Sequence, residues 1–490
     1  MARFFFFPCR PGMGNGIITN EKGNKGDFAM RLWRSLRETL GDGERMRTIL
    51  HLAWPTVVEQ ALQTVVSYAD TAQVGAIGAQ ASASVGLTTS MMWLVNAPLF
   101  AFGMGVLSVI SRALGSGDRE TARKAGVQAI WLTVFLGVGL GIVTVAIAPF
   151  LPAWLGADME IRRDASLYFG VVSLPMLFRS SSILMASVLR ATGNTRTPMI
   201  FNIIMNALNI FLNFLLIGPA GLGVLGAAIA TAVSYVVGGS LMFWAVMRHP
   251  VLQLSAMDKR LDGPVMRQCV AVGTPIAGER VTACLGQVVF TSLIARLGTV
   301  AVAAHSIAIT AEQAFYIPGY GMQMAAATLC GFSAGEKDEK KLTQYALAIC
   351  VIAVLLMGLM STLLFFAPGM ILSIFTRDAA VIALGTRLLR IVAFSEPFFA
   401  AAIIMEGVFN GVGDVKVPFA ISLATMWGVR IVCTFVVVQF LHLGLPQVWL
   451  CMVADNVTRC ILLLVRYFGG WWKKPLGLGK WAQTQNTAKQ

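Results

Sequence analysis

An internal repeat constrains this chain more than any other feature. Pro55, near the start of one apolar run, recurs as Pro275 near the start of another, an offset of 220 in residue number (275 − 55). Three further pairs keep this offset, which we call the repeat period: Glu59 and Glu279, Gly78 and Gly298, and Pro98 and Pro318. A slip of two positions then aligns Gly117 with Gly335. Long repeats of this kind are typical of transporters, and they predict two similar halves.

The composition is that of a membrane protein. Of the 490 residues, 56% are hydrophobic and 13% are charged, and the mean hydropathy is +0.71. A soluble domain carries about 25% charged residues. Apolar runs of about 20 residues, the length of a spanning helix, recur along the chain. The sequence therefore predicts an all-α polytopic membrane protein with twelve transmembrane helices in two pseudo-symmetric six-helix lobes.

Polar breaks divide the chain into five parts. We predict a basic cytoplasmic N-terminal tail over 1–46 and an N-lobe of six helices over 47–246. A cytoplasmic linker over 247–267 is the longest polar break between the two copies. A C-lobe of six helices over 268–470 and a cytoplasmic tail over 471–490 complete the chain. Because six helices precede the repeat, the second copy enters the membrane from the same side as the first.

The net charge of +14 follows from topology and not from a nucleic-acid partner. Lysine and arginine concentrate at both termini and in alternate loops, as the positive-inside rule requires of cytoplasmic segments. Both termini are therefore predicted to be cytoplasmic, and a bacterial inner membrane is the expected location. Nothing in this distribution indicates a nucleic-acid-binding face.

Metal, cofactor and catalytic signatures are missing from the sequence. The eight cysteines form no CxxC pair, and the four histidines share no metal-ligand spacing. Neither HExxH nor GxSxG is present. We therefore expect no enzyme activity, no cofactor and no bound metal beyond a coupling ion.

Several motifs in order resemble the multidrug and toxic compound extrusion (MATE) transporters. DTAQVGAIGA begins at Asp70, SRALGSGDRETARKAG and LRATGNTRTPM follow in the first half, and GTPIAGER and QVWLCMVADNVTR lie in the second. The resemblance covers about residues 48–470. The two PxxxE starts resemble most closely the prokaryotic subgroup related to the DNA-damage-inducible protein F.

The resemblance implies a two-lobe exporter with a V-shaped central cavity, in which alternating access is driven by inward flow of H⁺ or Na⁺. Its expected partners are membrane lipids and small organic substrates that are amphipathic, aromatic and often cationic, and it is expected to be a monomer. Two alternatives remain. One is a lipid-linked saccharide flippase of the same superfamily, which would need a strongly cationic cavity. The other is an ion channel, which would need a filter motif.

Asp70 is the first candidate for coupling to a cation. Burial disfavours the charged form of a carboxylate, which suits a group that takes up and releases a proton. The resemblance adds Asn209 and Asn213, which lie one turn apart on one helix face. A structural alternative is that Asp70 caps a helix end and the asparagines join helices. The repeat partner of Asp70 is Phe290, so coupling at Asp70 would use one lobe only.

Glu59 and Glu279 are a symmetric pair of acids inside apolar sequence, where a charge costs several kcal/mol. With Arg280 they are candidates for a gate or an inter-lobe lock. The structural alternative is that each acid satisfies a neighbouring helix end or an arginine. Because Arg280 follows Glu279 directly, any partner of Glu279 must come from another helix.

Four C-lobe residues are candidates for the substrate cavity: Glu396, Glu406, Met322 and Phe399. One group of the resembling transporters binds Na⁺ with an acid on the seventh helix, but Cys284 stands near that position here. This departure favours H⁺ slightly over Na⁺.

Two further charged groups are expected to be structural. Asp455 and Arg459 lie one helical turn apart and are predicted to form an ion pair. Arg430 lies within an apolar run and is predicted to pair with an acid.

Overall fold

The computed structural model of the protein describes residues 38, 41–75, 77–254 and 260–476. Most of the predicted N-terminal and C-terminal tails lie outside these residues. The described residues form helices and connecting turns, with no β-strand among them.

Within the described residues, twelve helices of spanning length follow one another, numbered α1 to α12. Their bounds are α1 Gly43–Gly75, α2 Ala79–Gly115, α3 Arg119–Ile147, α4 Met159–Ser173 with Met176–Ala191, α5 Arg196–Ile217, α6 Gly223–Met247, α7 Gly263–Ala295, α8 Thr299–Gly335, α9 Glu339–Phe366, α10 Ala379–Ala393 with Glu396–Val412, α11 Lys416–Leu423 with Ala424–Ile431 and Val432–Gln439, and α12 Leu445–Gly469. The two parts of α4 meet at 53° and those of α10 at 54°. The middle stretch of α11 is a π-helix.

The repeat period sets the helix bounds as well as the motifs. α1 and α7 begin and end one repeat period apart, and so do α2 and α8. The predicted alignment of Gly117 with Gly335, which needed a slip of two positions, is therefore wrong. Gly335 ends α8 and matches Gly115, the last residue of α2. Gly117 matches Lys337 instead, and both have a positive φ, 77° and 58°. Each stands one residue before an aspartate that caps the next helix, so the same turn is built twice.

The helices pack as two lobes with the same internal plan. In the N-lobe, α1 packs on α5, α2 on α3 and α4, and α6 on α4 and α5. In the C-lobe, the helices six places later repeat each of these pairings. Between the lobes, α2 packs on α7 and α8 packs on α1, which are equivalent contacts under the repeat. The prediction of two pseudo-symmetric six-helix lobes is confirmed.

The connection between the lobes is shorter than the predicted 247–267 segment. α6 ends at Met247, and α7 begins at Gly263, earlier than the predicted start at position 268. The Asp262 carboxylate accepts from the backbone N–H of Val265 at 3.1 Å, which satisfies one of the free N–H groups of the first turn. The capping aspartate therefore extends α7 into sequence that composition alone marks as polar.

Both ends of the described chain meet at the start of α9. Arg45, near the start of α1, donates to Gln344 of α9. Lys473, after the end of α12, lies 2.6 Å from the Glu339 carboxylate. The two ends therefore share one face of the bundle, which we call the terminus face. Its assignment to the cytoplasm stays a prediction from the charge distribution.

The two lobes are in close contact at the terminus face. A Cβ added to Gly115 would lie 2.1 Å from the carbonyl oxygen of Phe332 in α8. A Cβ added to Gly335 would lie at the same distance from the carbonyl oxygen of Arg112 in α2. The ends of α2 and α8 therefore cross backbone to backbone at two equivalent glycines, and this face of the bundle is closed.

Ten of the twelve segments are long and apolar enough to cross a membrane, when each bent pair is counted as one span. The other two, α1 and α7, have 33 residues each but are more polar. They are also the two helices that begin the repeat and carry its paired glutamates. The chain is thus a multi-pass membrane protein whose most polar spans are equivalent in the two lobes.

Candidate functional site

Asp70 lies on α1 and faces α5 inside the N-lobe. The Asn213 amide donates to its carboxylate at 2.7 Å. The Asn209 amide satisfies both of its neighbours when its nitrogen faces Asp70 at 2.8 Å and its oxygen accepts from Thr231 of α6 at 3.3 Å. These four side chains, from three helices, form what we call the N-lobe carboxylate site. The structure brings together all three residues of the predicted coupling site.

The N-lobe carboxylate site offers oxygen and amide groups and no base. No lysine or arginine among the described residues forms an ion pair with the Asp70 carboxylate. Asn209 and Asn213 are buried, whereas Asp70 is partly exposed. An ionised Asp70 here lacks a fixed counter-charge, and a proton or a monovalent cation can supply it. At the equivalent place the C-lobe has Phe290, which is fully buried.

Glu59 is held inside the N-lobe by two donors. Arg190, near the end of α4, lies 2.6 Å from its carboxylate, and Asn202 of α5 donates at 2.6 Å. Both Glu59 and Arg190 are buried. A buried ion pair of this kind is disrupted at high cost when one partner is removed.

Glu279 makes the equivalent contact in the C-lobe, but a weaker one. Ser422 of α11 donates to its carboxylate at 2.8 Å, and Ser422 is the repeat partner of Asn202. Arg280 stacks over the Tyr320 ring with 5.5 Å to the centroid. In the part of the chain that the structure describes, neither glutamate bonds across the lobe boundary, so the predicted inter-lobe lock is not formed in this conformation. A gating role for these residues stays a prediction.

A chain of charges runs through the C-lobe from α11 to α10. Arg430 lies 2.8 Å from Asp455 of α12, and Arg459 lies 3.3 Å from the same carboxylate. Arg459 also lies 3.8 Å from Glu406 of α10. The ion pair predicted between Asp455 and Arg459 is confirmed, as is the pairing of Arg430 with an acid.

The inner surface of the C-lobe combines these charges with aromatic rings. Arg280, Tyr320, Phe399 and Glu406 come from three helices and are all partly exposed. The Phe399 ring packs edge-on against Tyr316 at 5.4 Å. We call these five side chains the C-lobe cavity wall. Phe399 and Glu406 are therefore partly exposed, and their role in a substrate cavity stays a prediction.

Two other predicted cavity residues are buried in this structure. Met322 is 2% exposed, and it packs in a hydrophobic cluster with residues of α1, α9 and α10. Glu396 is 1% exposed and begins the second part of α10, at the bend. Their role in a substrate cavity stays a prediction, because both residues lie among apolar neighbours along their helices. Sequence periodicity then does not distinguish a cavity face from a packed one.

Three residues that contact the candidate sites were missed. Arg190 lies inside α4, one residue before its end at Ala191, and was not considered as a partner of Glu59. Thr231 carries no sequence signal that separates it from other threonines. Ser422 had one, since adding the repeat period to Asn202 leads to it. Among the described residues, no group of three or more His, Cys, Asp or Glu side chains is arranged to hold a metal.

Comparison with known proteins identifies relatives over most of the chain. The MatE family profile matches residues 55–215 and 275–436, two segments whose starts are one repeat period apart. A probable multidrug resistance protein NorM from Thermotoga maritima is 29% identical over 435 residues, 88% of this chain and 94% of the relative. The uncharacterized transporter YisQ from Bacillus subtilis is 24% identical over 437 residues, 87% of this chain and 94% of the relative.

Solved structures show the same fold. A multidrug resistance MATE family transporter of the MOP superfamily, in an outward-facing conformation, superposes with a TM-score of 0.83 at 22% identity. A MOP superfamily transporter from Pyrococcus furiosus gives the same TM-score and identity. Each comparison covers 88% of this chain and 96% of the solved one.

Proposed function

The chain belongs to the MatE family of membrane transporters, and on this premise we propose that it exports amphipathic, often cationic organic compounds in exchange for H⁺ or Na⁺, with H⁺ favoured. Family members are transporters and not enzymes. The exchange is secondary active and proceeds by alternating access of the two lobes. The assignment to the subgroup related to the DNA-damage-inducible protein F is part of this proposal.

One observation carries the coupling part of the proposal. Asp70 is a carboxylate with amide and hydroxyl neighbours and, among the described residues, no basic side chain within ion-pair distance. Such a group changes its charge when it binds a proton or Na⁺, and the hydrogen bonds from α5 pass that change to a neighbouring helix. Cys284 in place of a seventh-helix acid supports H⁺ over Na⁺.

The packing of the lobes supports alternating access. The inter-lobe contacts of α2 with α7 and of α8 with α1 are equivalent, so they can open together as one lobe rocks against the other. The terminus face is closed by the crossing of α2 and α8. With the termini in the cytoplasm, as the charge distribution predicts, this is an outward-facing state in a bacterial inner membrane.

The C-lobe cavity wall supports the proposed substrate class. Tyr316, Tyr320 and Phe399 offer aromatic faces, which attract organic cations. Glu406 offers a carboxylate that is only loosely paired with Arg459, at 3.8 Å. The multidrug names of the relatives agree with such a substrate, and we expect small organic molecules and membrane lipids to be the only partners of a monomer.

Transport by reconstituted vesicles tests the proposal. A pH gradient, and separately a Na⁺ gradient, is imposed while the movement of a cationic aromatic dye is followed. We expect the pH gradient to drive saturable dye transport in the wild type and Asp70→Asn to abolish it. Asp158→Asn is the matched control, since Asp158 precedes α4 and makes no side-chain capping bond.

Each other outcome excludes part of the proposal. If neither the pH gradient nor the Na⁺ gradient drives dye transport, the proposed exchange is overturned. If Asp70→Asn keeps full coupling, the assignment of the coupling site to Asp70 is overturned while the family assignment stands. Conductance that does not saturate would indicate the ion-channel alternative. Movement of a lipid-linked saccharide without dye transport would indicate the flippase alternative.

A further inference from the structure

Arg179 is a base inside the N-lobe that lacks an acidic partner. It lies in the first turn of the second part of α4, and its side chain is partly exposed. Among the described residues it forms no ion pair, and the two helices that it contacts, α2 and α6, contain no aspartate or glutamate. A charge within a membrane span is costly and usually pairs with an opposite charge. The described part of the chain does not supply one here.

Two neutral groups hold the Arg179 side chain in place. Its Nε donates to Oδ1 of Asn96 on α2 at 3.4 Å, and its guanidinium lies over the Tyr235 ring of α6, 4.6 Å from the centroid. The amide and the ring orient the guanidinium, but neither neutralises its charge. The two Nη atoms donate to no other described residue, so they remain available for a bidentate pair with an oxyanion.

The backbone on both sides of Arg179 is closely packed against α6. A Cβ added to Gly239 of α6 would lie 2.1 Å from the carbonyl oxygen of Phe178. Ser181 donates to the Gly239 carbonyl at 2.9 Å. Arg179 is therefore presented from a fixed position, and an anion that binds there loses little affinity to ordering the protein. The first turn of a helix also favours an anion over a cation.

The repeat places Arg179 at the N-lobe equivalent of the C-lobe cavity wall. One repeat period after Arg179 stands Phe399, and one after Asn96 stands Tyr316. The C-lobe has two rings in contact at 5.4 Å where the N-lobe has the hydrogen bond between Arg179 and Asn96. The same pair of helices thus presents aromatic faces in one lobe and a guanidinium in the other. A substrate that contacts both lobes would meet two opposite chemistries.

We propose that Arg179, with Asn96 and Tyr235, forms a binding site for the acid group of a substrate, a carboxylate or another oxyanion. The two Nη atoms donate to the anion, while Asn96 and Tyr235 keep the guanidinium in place. The aromatic, basic part of the same substrate binds at the C-lobe cavity wall. The exporter then accepts zwitterionic aromatic compounds as well as simple cations. This substrate class rests on the proposed export function, whereas anion binding at Arg179 does not.

Binding measured without a gradient tests the site separately from transport. The full-length protein is placed in lipid discs of phosphatidylcholine, and fluorescence anisotropy gives the Kd of two probes. One probe is a cationic xanthene dye with a free benzoate, and the other is the methyl ester of that dye, which lacks the negative charge. The quantity compared is the preference, defined as the Kd of the ester divided by the Kd of the free acid.

Three variants complete the design. Arg179→Gln removes the guanidinium, and Asn96→Asp keeps it but sets a carboxylate of the protein beside it. Arg163→Gln is the matched control, because Arg163 is an exposed arginine in the first part of the same helix. The Tm of each variant checks its folding. Arg179→Gln decides the matter if it folds, and Asn96→Asp decides it otherwise.

We expect the wild type to bind the free-acid dye more tightly than the ester. In Arg179→Gln the preference should fall by about 10- to 100-fold, which is the size expected for the loss of hydrogen bonds to a charged group. Asn96→Asp should lower it similarly, because the new carboxylate competes with the acid group of the dye. Arg163→Gln should keep the preference of the wild type.

Four results would overturn the site. The first is equal binding of the two dyes by the wild type, and the second is a preference that Arg179→Gln leaves unchanged, even if both dyes bind more weakly. The third is a preference that Arg163→Gln also abolishes. In the fourth, phosphatidylglycerol added to the discs removes the preference, which assigns the site to a lipid phosphate and not to a substrate.

Transport in vesicles then separates this site from the exchange function. The ratio of kcat/KM for the free-acid dye over the ester should fall in Arg179→Gln by a factor similar to the fall in the binding preference. If the wild type binds the free-acid dye but no gradient moves either dye, the exchange proposal fails and the binding site stands. If gradients move both dyes and Arg179→Gln leaves the ratio unchanged, exchange stands and the role of Arg179 in substrate choice is overturned.

Discussion

Replacing Gly335 with alanine should weaken the closed terminus face. The added Cβ would lie 2.1 Å from the carbonyl oxygen of Arg112 and 2.9 Å from the backbone nitrogen of Ser116. Both are backbone atoms, so no side-chain rotation relieves the contact. The two lobes must separate at this point, which disfavours the conformation in which α2 and α8 cross.

The size of the effect follows from the cost of overpacking. Forcing extra atoms into a packed contact typically costs about 1–3 kcal/mol. If the cost applies only to the closed state, the equilibrium shifts toward an open terminus face by about 5- to 150-fold. The gain in helix propensity from glycine to alanine, about 1 kcal/mol, applies in both states and cancels.

Electron–electron distances between spin labels measure this shift directly. Glu120 and Lys340 lie in the first turns of α3 and α9, at positions related by the repeat, with side chains 74% and 71% exposed. Labels carried there by an unnatural amino acid avoid the native cysteines. We expect Gly335→Ala to add a longer-distance population. Gly358→Ala on α9 is the control, since a Cβ at Gly358 would meet nothing within 4 Å.

A distance distribution for Gly335→Ala that matches both the wild type and the Gly358→Ala control would refute the reasoning. It would mean that the crossing relaxes locally without moving the lobes. The equivalent substitution Gly115→Ala tests the symmetry, because its Cβ would lie 2.1 Å from the Phe332 carbonyl oxygen. The two variants should open the same face to a similar extent.

Two further predictions concern stability. Glu59→Gln should destabilise the protein by about 3–5 kcal/mol because it leaves Arg190 buried without its counter-charge. Glu279 is partly exposed and bonded only to a hydroxyl, so Glu279→Gln should cost about 1 kcal/mol. The Tm of each variant in detergent separates the two, and equal losses of stability would contradict the asymmetry. Hydrogen bonds from Thr121 lower the pKa of the Asp118 carboxyl, so its cap on α3 should persist at neutral pH and be lost only as the pH falls below the usual carboxyl range. Asp118→Ala should cost about 1 kcal/mol at pH 7 and much less in acid, and a loss that does not depend on pH would count against a charged cap.

The sequence predicted the lobes well because the repeat is a property of whole helices. Pro55 and Pro275 gave a period that the helix starts keep from α1 to α5. The same period applied to Asn202 would have found Ser422 as the partner of Glu279. The slip that matched Gly117 with Gly335 failed because it aligned residue types and not turns.

The candidate sites were harder to predict where the role of a residue depends on whether its side chain is buried. Asp70 was singled out because a charge in apolar sequence stands out, and the resemblance supplied Asn209 and Asn213; the structure places the three side chains together. Met322 was predicted to line the cavity but is buried, because a methionine suits a packed core as well as a cavity. Glu396 is buried where the second part of α10 begins, and the position of that bend is not visible in the sequence pattern.

The π-helix of α11 gives the two lobes a different winding. α5 is one uninterrupted α-helix, whereas α11 extends from Lys416 to Gln439 in three stretches. The first residues of α6 and α12, Gly223 and Leu445, are offset by 222 in residue number (445 − 223), two more than the repeat period.

A π-turn accommodates an inserted residue within a continuous helix and rotates the remainder of that helix by about 100°. After Ile431, residues of α11 are therefore expected to point in a different direction from the residues of α5 one repeat period earlier. The repeat partners of Asn209 and Asn213 are Val429, within the π-helix, and Cys433, just past it. Substituting the N-lobe residues into the C-lobe would therefore not by itself create a second copy of the Asp70 site, because the two positions are not one regular α-helical turn apart.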